Sequence, residues 1–250
     1  MGKSIWLTWN AVTWCTKYSD WCKNCYALWM ALKFKKMGIK KYQNWFDITL
    51  HQDVLNFPSK IKKPSFIFAN SMTDLFHEDI PFEYLKKIFD VMNNNPKHYF
   101  FILTKRAERM LKLTKKLKIW DNIWMWVTIE SEKYKYRLDV LKQIKCKYKY
   151  IVVEPLIWAI NNLNLEWINW VTWWNESWPY SRMCNIEWIE NLSIQCNNFK
   201  VPFSFKHRGE KNTYGWNKNY WSWVPKQIKE FEKNSMINQK HDINQTQLFI

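Results

Sequence analysis

Short apolar runs rich in β-forming residues alternate with amphipathic helical segments along most of this chain. Parallel strands need a long crossover between them, so helical segments between successive strands favour parallel βαβ units. The pattern predicts an α/β protein, either a full or partial (β/α) barrel or a doubly wound sheet. The predicted strands are 65–70, 99–104, 122–129, 148–154, 167–173 and 202–206, and the predicted helices are 81–92, 108–117, 131–144 and 187–196.

The length and the distribution of apolar residues predict a single domain over residues 1–229. From about residue 230 the sequence becomes polar (EKNSMINQKHDINQTQ), which is typical of a flexible tail, 230–250. No apolar run approaches the ~20 residues of a membrane span. The N-terminus also lacks the pattern of a signal peptide, so a cytoplasmic location is expected.

Three of the six cysteines, Cys15, Cys22 and Cys25, are spaced C-x6-C-x2-C. In a reducing compartment a group this tight indicates a metal site rather than a set of disulfides. Three thiolates can bind three irons of a [4Fe–4S] cluster and leave the fourth iron for a substrate or cofactor. Zinc with a fourth ligand from elsewhere, or no metal at all, are the alternatives. The other three cysteines are interpreted as small, buried apolar residues: Cys146, Cys184 and Cys196.

Polar and charged residues follow the predicted strands at their carboxyl ends, where parallel α/β folds bind ligands. In chain order they are Asn70, Ser71, Asp74, Lys105, Arg106, Arg109, Glu154, Glu176, Ser177 and Lys206. The four cations suit the phosphates of a nucleotide or nucleic acid. A net charge of +16 also favours a polyanionic partner, although an AT-rich genome gives the same abundance of dispersed lysines.

The chain contains 19 tryptophans and 4 glycines, whereas a chain of this length normally has about 17 glycines. Trp14, Trp21 and Trp178 stand where tight turns favour the positive φ angles that glycine adopts without strain. We therefore interpret many of these positions as UGA codons that the source organism decodes as glycine. A genuinely tryptophan-rich chain is the alternative. Four positions have the context of true tryptophans: Trp9, Trp124, Trp170 and Trp188.

Five segments resemble, in the same order, those of the phage Gp37/Gp68-like family, domain of unknown function 5131. They are 9–27 with the three cysteines, NSMTDLFHEDIP at 70–81, LTKRAER at 103–109, 154–156, and WVTWWNESWPYSR at 170–182. The family looks like a relative of radical S-adenosylmethionine (SAM) enzymes, in which a cysteine triad follows the first strand of a partial barrel. Those enzymes usually space the triad C-x3-C-x2-C, so the six-residue gap is a departure. Where the family has glycine, this chain has Trp14, Trp21, Trp45, Trp126, Trp158, Trp174 and Trp178.

The resemblance implies a barrel of the TIM or radical-SAM type in which Cys15, Cys22 and Cys25 ligate a [4Fe–4S] cluster that binds SAM. A polar wall around a cofactor or substrate would then consist of Asn70, Ser71, Asp74, Glu154, Glu176 and Ser177. The favoured function is an iron–sulfur enzyme acting on a nucleotide or nucleic acid.

Two alternatives belong to other classes of protein. One is a zinc-stabilised nucleic-acid-binding protein without catalysis. The other is a barrel hydrolase that binds a hard metal ion through Asp74, Glu154 and Glu176. Near the C-terminus, Gln245, Leu248 and Phe249 form a Q-x-x-L-F pattern. It resembles the peptides with which bacterial DNA enzymes dock on the sliding clamp, so the clamp is an expected partner.

Overall fold

The computed structural model describes residues 6–44, 47–174 and 184–206. Three sets of predictions lie outside these residues: the strand-end pair Glu176 and Ser177, the tail 230–250 with its Q-x-x-L-F pattern, and the recoding positions Trp45 and Trp178. Within the described residues, none of the helices combines the length and the apolar character needed to cross a bilayer.

The described residues form a series of strands and helices that alternate over most of the chain. The strands are β1 (Trp6–Trp9), β2 (Val12–Thr13), β3 (Thr49–Leu50), β4 (Phe66–Ala69), β5 (Tyr99–Thr104), β6 (Ile123–Thr128), β7 (Tyr148–Val153), β8 (Trp170–Trp174) and β9 (Phe203–Lys206). The helices are α1 (Tyr26–Lys36), α2 (Phe57–Lys60), α3 (Phe82–Asn93), α4 (Ala107–Thr114), α5 (Tyr136–Lys142) and α6 (Ile186–Asn198). Short 3-10 helices occur at Asp20–Asn24, Lys40–Tyr42, Gln52–Val54 and Glu132–Tyr134.

Seven of the strands form one parallel sheet in the order β1-β4-β5-β6-β7-β8-β9, and β2 pairs antiparallel with β3. Each strand of the large sheet lies beside the next one along the chain, so the strand order never reverses as it does in a doubly wound sheet. Among the described residues, β1 and β9 are edge strands that do not pair with each other. The predicted (β/α) barrel is therefore confirmed in its partial, open form.

The two faces of the large sheet differ in composition. On β6, Ile123, Met125 and Val127 point into an aliphatic core that also contains the buried faces of α3 to α6. The alternating residues Trp124 and Trp126 point to the opposite, inner face, which is lined by aromatic rings. This division follows from the period of two in a strand, together with right-handed crossovers that place the helices on one face.

Most of the predicted elements are present with small shifts at their ends. The predicted strand 99–104 coincides with β5, and 122–129 exceeds β6 by one residue at each end. Three boundary predictions were wrong by three residues or more. The strand predicted from residue 167 begins at Trp170, the helix predicted over 108–117 ends at Thr114, and the helix predicted over 131–144 is α-helical only over 136–142. The sequence patterns also missed β1 and α1.

Candidate functional site

The segment 14–25, which carries the three cysteines and which we call the cysteine loop, crosses the carboxyl ends of three neighbouring strands. Beyond β4, Thr73 donates a hydrogen bond to the Trp14 carbonyl oxygen at 2.6 Å. Beyond β5, Arg106 binds the Thr16 side-chain oxygen at 2.9 Å. Beyond β6, the carboxylate of Glu130 accepts a hydrogen bond from the Ser19 hydroxyl at 2.7 Å. The loop is thus fastened at each of the three strand ends, and it lies where parallel α/β folds place their ligands.

All three thiols of the loop are free and line one cavity of about 350 Å³. The polar lining of the same cavity comes from several strand ends: Asn70, Ser71, Asp74, Lys105, Arg106 and Glu154. Its apolar lining includes Trp14, Trp21, Phe68, Met72, Leu103 and Trp174. The structure therefore brings six of the predicted polar residues and the whole cysteine triad to one place.

Two of these polar residues have their hydrogen-bonding groups occupied by the protein itself. Asn70 has a positive φ of 62°, which asparagine tolerates. Its amide accepts from the Ala11 N–H and donates to the Val12 carbonyl. Asp74 accepts from the Thr104 hydroxyl at 2.6 Å and from the Lys105 N–H at 2.9 Å. Both side chains hold the loops that form the cavity wall.

Arg106 is placed differently from the phosphate-binding role expected for it, because its guanidinium is 2% exposed. Its Nε donates to the Glu78 carboxylate at 2.9 and 3.1 Å. Its Nη1 lies 3.4 Å from an Asp74 oxygen and 3.7 Å from the sulfur of Cys15. With Nη2 bound to Thr16, every nitrogen of the guanidinium is engaged within the protein.

The remaining predicted cations have three different positions. Arg109 donates to the carbonyl oxygens of Glu78 and Ile80, so it braces the segment after β4. Lys105 lines the cavity, with its ammonium nitrogen 3.4 Å from the centre of the Trp21 ring. Lys206 is the last residue of β9. Lys105 and Arg106 therefore both line the cavity, but the guanidinium groups of Arg106 and Arg109 are bound to the protein itself.

Sequence reasoning assigned no role to Arg137, because charged residues of amphipathic helices are normally exposed. Its side chain and that of Glu130 are fully buried and form an ion pair at 3.1 Å. Glu130 also accepts the hydrogen bond from Ser19, and the Tyr134 hydroxyl donates to Asp20 at 3.0 Å. A buried arginine has no local sequence signal, so only the tertiary structure identifies this second anchor of the cysteine loop.

Burial, together with the neighbouring carboxylate of Asp74, raises the pKa of the Cys15 thiol to about 11, against the opposing positive charge of Arg106. Burial likewise raises the pKa of Tyr26, assisted by Glu154. The Tyr26 hydroxyl accordingly stays protonated and donates to the Ser71 carbonyl at 2.5 Å. Metal binding would displace the proton of Cys15, because the thiolate is the form that ligates.

The donor set fits an iron–sulfur cluster in its chemistry. Three free cysteines from one short loop share a cavity that also contains polar and apolar surface for a further ligand. No three His, Cys, Asp or Glu side chains among the described residues converge closely enough to enclose a single metal ion. In a [4Fe–4S] cluster each thiolate binds a different iron. The three sulfurs therefore need to line one cavity, but they need not converge on a single point.

The fold and the site together define the class: an open (β/α) barrel with a three-cysteine loop across the carboxyl ends of its strands. The family described as "Protein of unknown function (DUF5131)" has a model that matches residues 5–244, and the chain belongs to this family. The resemblance to domain of unknown function 5131 is thereby confirmed. No curated protein matches the chain.

Solved structures of spore photoproduct lyase have a backbone fold similar to that of this chain. A cysteine-to-serine mutant is 12% identical over 94% of this chain and 74% of the lyase chain, with a TM-score of 0.46. A double mutant with bound AdoMet and dinucleoside spore photoproduct is 12% identical over the same shares, with a TM-score of 0.43. A complex with dinucleoside spore photoproduct gives 12% identity over 92% and 73%, with a TM-score of 0.42.

Proposed function

We propose that this protein is an iron–sulfur enzyme of the radical-SAM type that acts on a nucleotide or nucleic acid. The observation that carries the proposal is the convergence of three free cysteines on one cavity at the carboxyl ends of a parallel open barrel. In such an enzyme Cys15, Cys22 and Cys25 hold a [4Fe–4S] cluster. The cluster, when bound, supplies the electron for reductive cleavage of SAM.

The chain's own residues supply binding and orientation around the cysteines. Lys105 offers a positive charge to a phosphate group, and the ring of Phe68 in the same cavity, which recoding leaves in place, suits a planar base. Glu154 and Ser71 offer oxygen acceptors in the same cavity for the amino or ribose groups of SAM. Glu176 and Ser177, which lie outside the described residues, keep the cofactor-binding role that the family resemblance implies, and Lys206 keeps the phosphate-binding role expected from the sequence.

The hydrolase alternative has less support at this site. It requires Asp74 to coordinate a hard metal ion, yet the Asp74 carboxylate already accepts hydrogen bonds from Phe76, Thr104 and Lys105 and faces Arg106. A carboxylate with those lone pairs committed is a poor ligand for calcium or magnesium. The zinc alternative is an outcome of the experiment below.

Anaerobic reconstitution with iron and sulfide tests the proposal. We expect a brown protein that absorbs near ~400 nm, as thiolate-ligated iron–sulfur proteins do, and that cleaves SAM when reduced with dithionite. Cys22→Ala should lose both properties, whereas Cys146→Ala should keep both. A colourless protein with stoichiometric zinc would support the zinc-binding alternative and overturn the enzyme.

We further propose that UGA is decoded as glycine at several tryptophan positions. Trp14 supports this because its φ is 76°, a conformation that glycine adopts without strain. Trp14, Trp21 and Trp174 all line the cavity, so glycine at these positions would enlarge the space beside the cysteines. UGG at Trp9 and UGA at Trp14 in the gene would support recoding, and UGG at every tryptophan would overturn it.

A further inference from the structure

Arg106 is the buried cation beside the cysteine triad. Its guanidinium stands at the carboxyl end of β5 and meets three kinds of group: carboxylates, the backbone and side chain of Thr16, and the sulfur of Cys15. The ring of Tyr18 lies 4.7 Å from the guanidinium carbon. A charge held this firmly contributes a fixed field to its surroundings, because it cannot turn toward water.

The contacts around Thr16 fix the backbone next to Cys15. The side-chain oxygen of Thr16 lies 2.9 Å from Nη2 of Arg106 and 2.7 Å from Nε2 of His77. His77 also accepts from the Thr16 N–H at 3.3 Å, and its ring is buried. These contacts fix Thr16, and with it the position of the adjacent Cys15 in the cavity wall. Nη1 of Arg106 lies 3.7 Å from the Cys15 sulfur.

We infer that Arg106 is a positioning residue that orients Cys15 and, by donating an N–H to its sulfur, raises the reduction potential of the cluster this loop binds. The inference rests on the proposed function. Hydrogen bonds and positive charge at a ligating sulfur stabilise the more negative, reduced state of an iron–sulfur cluster. Lys105 would remain the cation that meets substrate phosphate.

The test is a redox titration of the reconstituted full-length protein, followed by visible absorbance and by electron paramagnetic resonance. The Arg106→Gln protein should take up the cluster, but the equilibrium constant for reducing that cluster should fall at least tenfold. This corresponds to a reduction potential lower by about 59 mV for one electron. Arg109→Gln is the matched control. It removes the same charge three residues further along the chain, but Arg109 binds only the carbonyls of Glu78 and Ile80 among the contacts described.

Hydrogen exchange of the metal-free protein provides a second readout. Amides of residues 15–25 should exchange faster in Arg106→Gln than in wild type, whereas Arg109→Gln should leave them unchanged. If Arg106→Gln does not fold, Arg106→Lys keeps the charge without the planar fork and should give a potential below that of wild type.

Each outcome separates the inference from the proposed function. A loaded protein whose potential is unchanged in the Arg106 variants, or equally lowered in Arg109→Gln, overturns the inference and leaves the proposed function standing. A wild-type protein that takes up no iron–sulfur cluster overturns the proposed function and this inference with it.

Discussion

The two rims of the large sheet both bury polar side chains, but they use them differently. At the amino rim, Ser65, His98 and Asn122 precede β4, β5 and β6. The Nδ1 of His98 accepts from the Ser65 N–H at 3.2 Å, and its Nε2 lies 3.1 Å from the Pro58 carbonyl. Asn122 donates to three carbonyl oxygens, those of Met92, Asn95 and His98. These neutral groups satisfy the backbone of neighbouring turns.

At the carboxyl rim, buried groups include charged ones that form ion pairs. Arg106 joins the buried Asp74 and the exposed Glu78, and Arg137 joins the buried Glu130. Both sets end on the cysteine loop, at Thr16 and Ser19 respectively. The amino rim therefore satisfies the backbone of the fold, whereas the carboxyl rim holds the cysteine loop in place, which is the division expected in parallel (β/α) barrels.

The largest effect should come from the cysteines at the carboxyl rim. Cys22→Ala or Cys25→Ala should abolish iron binding, because each removes a ligand from a site of three. Cys146→Ala should leave the iron content unchanged, since Cys146 lies outside the cavity lining. Iron and sulfide analysis after reconstitution measures this. Equal losses in Cys22→Ala and Cys146→Ala would show that the ligands have been assigned to the wrong residues.

The next effect concerns the buried ion pair of the same rim. Arg137→Met should destabilise the protein by about 3–5 kcal/mol, because it leaves the carboxylate of Glu130 buried without its charge partner. The double variant Glu130→Gln, Arg137→Met should be closer to wild type, since no unpaired charge remains. Urea unfolding of the two variants measures the difference. A double variant as unstable as Arg137→Met would mean that the arginine acts through packing on Tyr134 rather than through charge.

The amino rim should respond to acid. Burial lowers the pKa of His98 to about 4, whereas the unfolded chain has a pKa near ~6.5. The unfolded state therefore takes up the proton first, and the contribution of His98 to stability is lost as pH falls from about 6.5 toward 4.

Between pH 7 and pH 5 we expect wild type to lose about 2 kcal/mol more stability than His98→Gln. Urea unfolding at the two pH values measures this difference in stability. Burial also lowers the pKa of His51 to about 4, but His51 is present in both proteins, so its effect cancels in the comparison. Iron content should stay equal in the two proteins. A variant that loses iron would break the distinction between the rims.

The smallest effect on stability should come from Glu154→Gln, because Glu154 is partly exposed beyond the end of β7. We expect a change within about 0.5 kcal/mol, together with weaker binding of SAM by the reconstituted protein. Equilibrium binding and urea unfolding on the same samples separate the two. Lost stability with unchanged SAM affinity would place Glu154 with the scaffold groups of this rim.

Much of the scaffold could be predicted from the sequence. The run YFFILT predicted β5, and the spacing of Phe82, Leu85, Ile88 and Phe89 predicted α3, because buried faces impose periods of two and 3.6 residues. The patterns missed β1 and α1, and for α1 the reason is that its first part, YALWMAL, is apolar throughout and so shows no 3.6-residue period. The alternation of elements was enough to predict parallel strands, since few connections can join them.

The sequence by itself determined the parallel (β/α) architecture, the cysteine triad and the set of polar residues that follow the strands. Only the tertiary structure decided which of those residues hold the loop through their own contacts. Arg106 and Lys105 are adjacent in sequence and both line the cavity, yet the Arg106 guanidinium is enclosed by Asp74, Glu78 and Cys15 while the Lys105 ammonium lies over the Trp21 ring. The reason is physical: a side chain's role depends on the charges that surround it, and here those come from segments about 30 and 90 residues away, whose meeting only the packed sheet brings about.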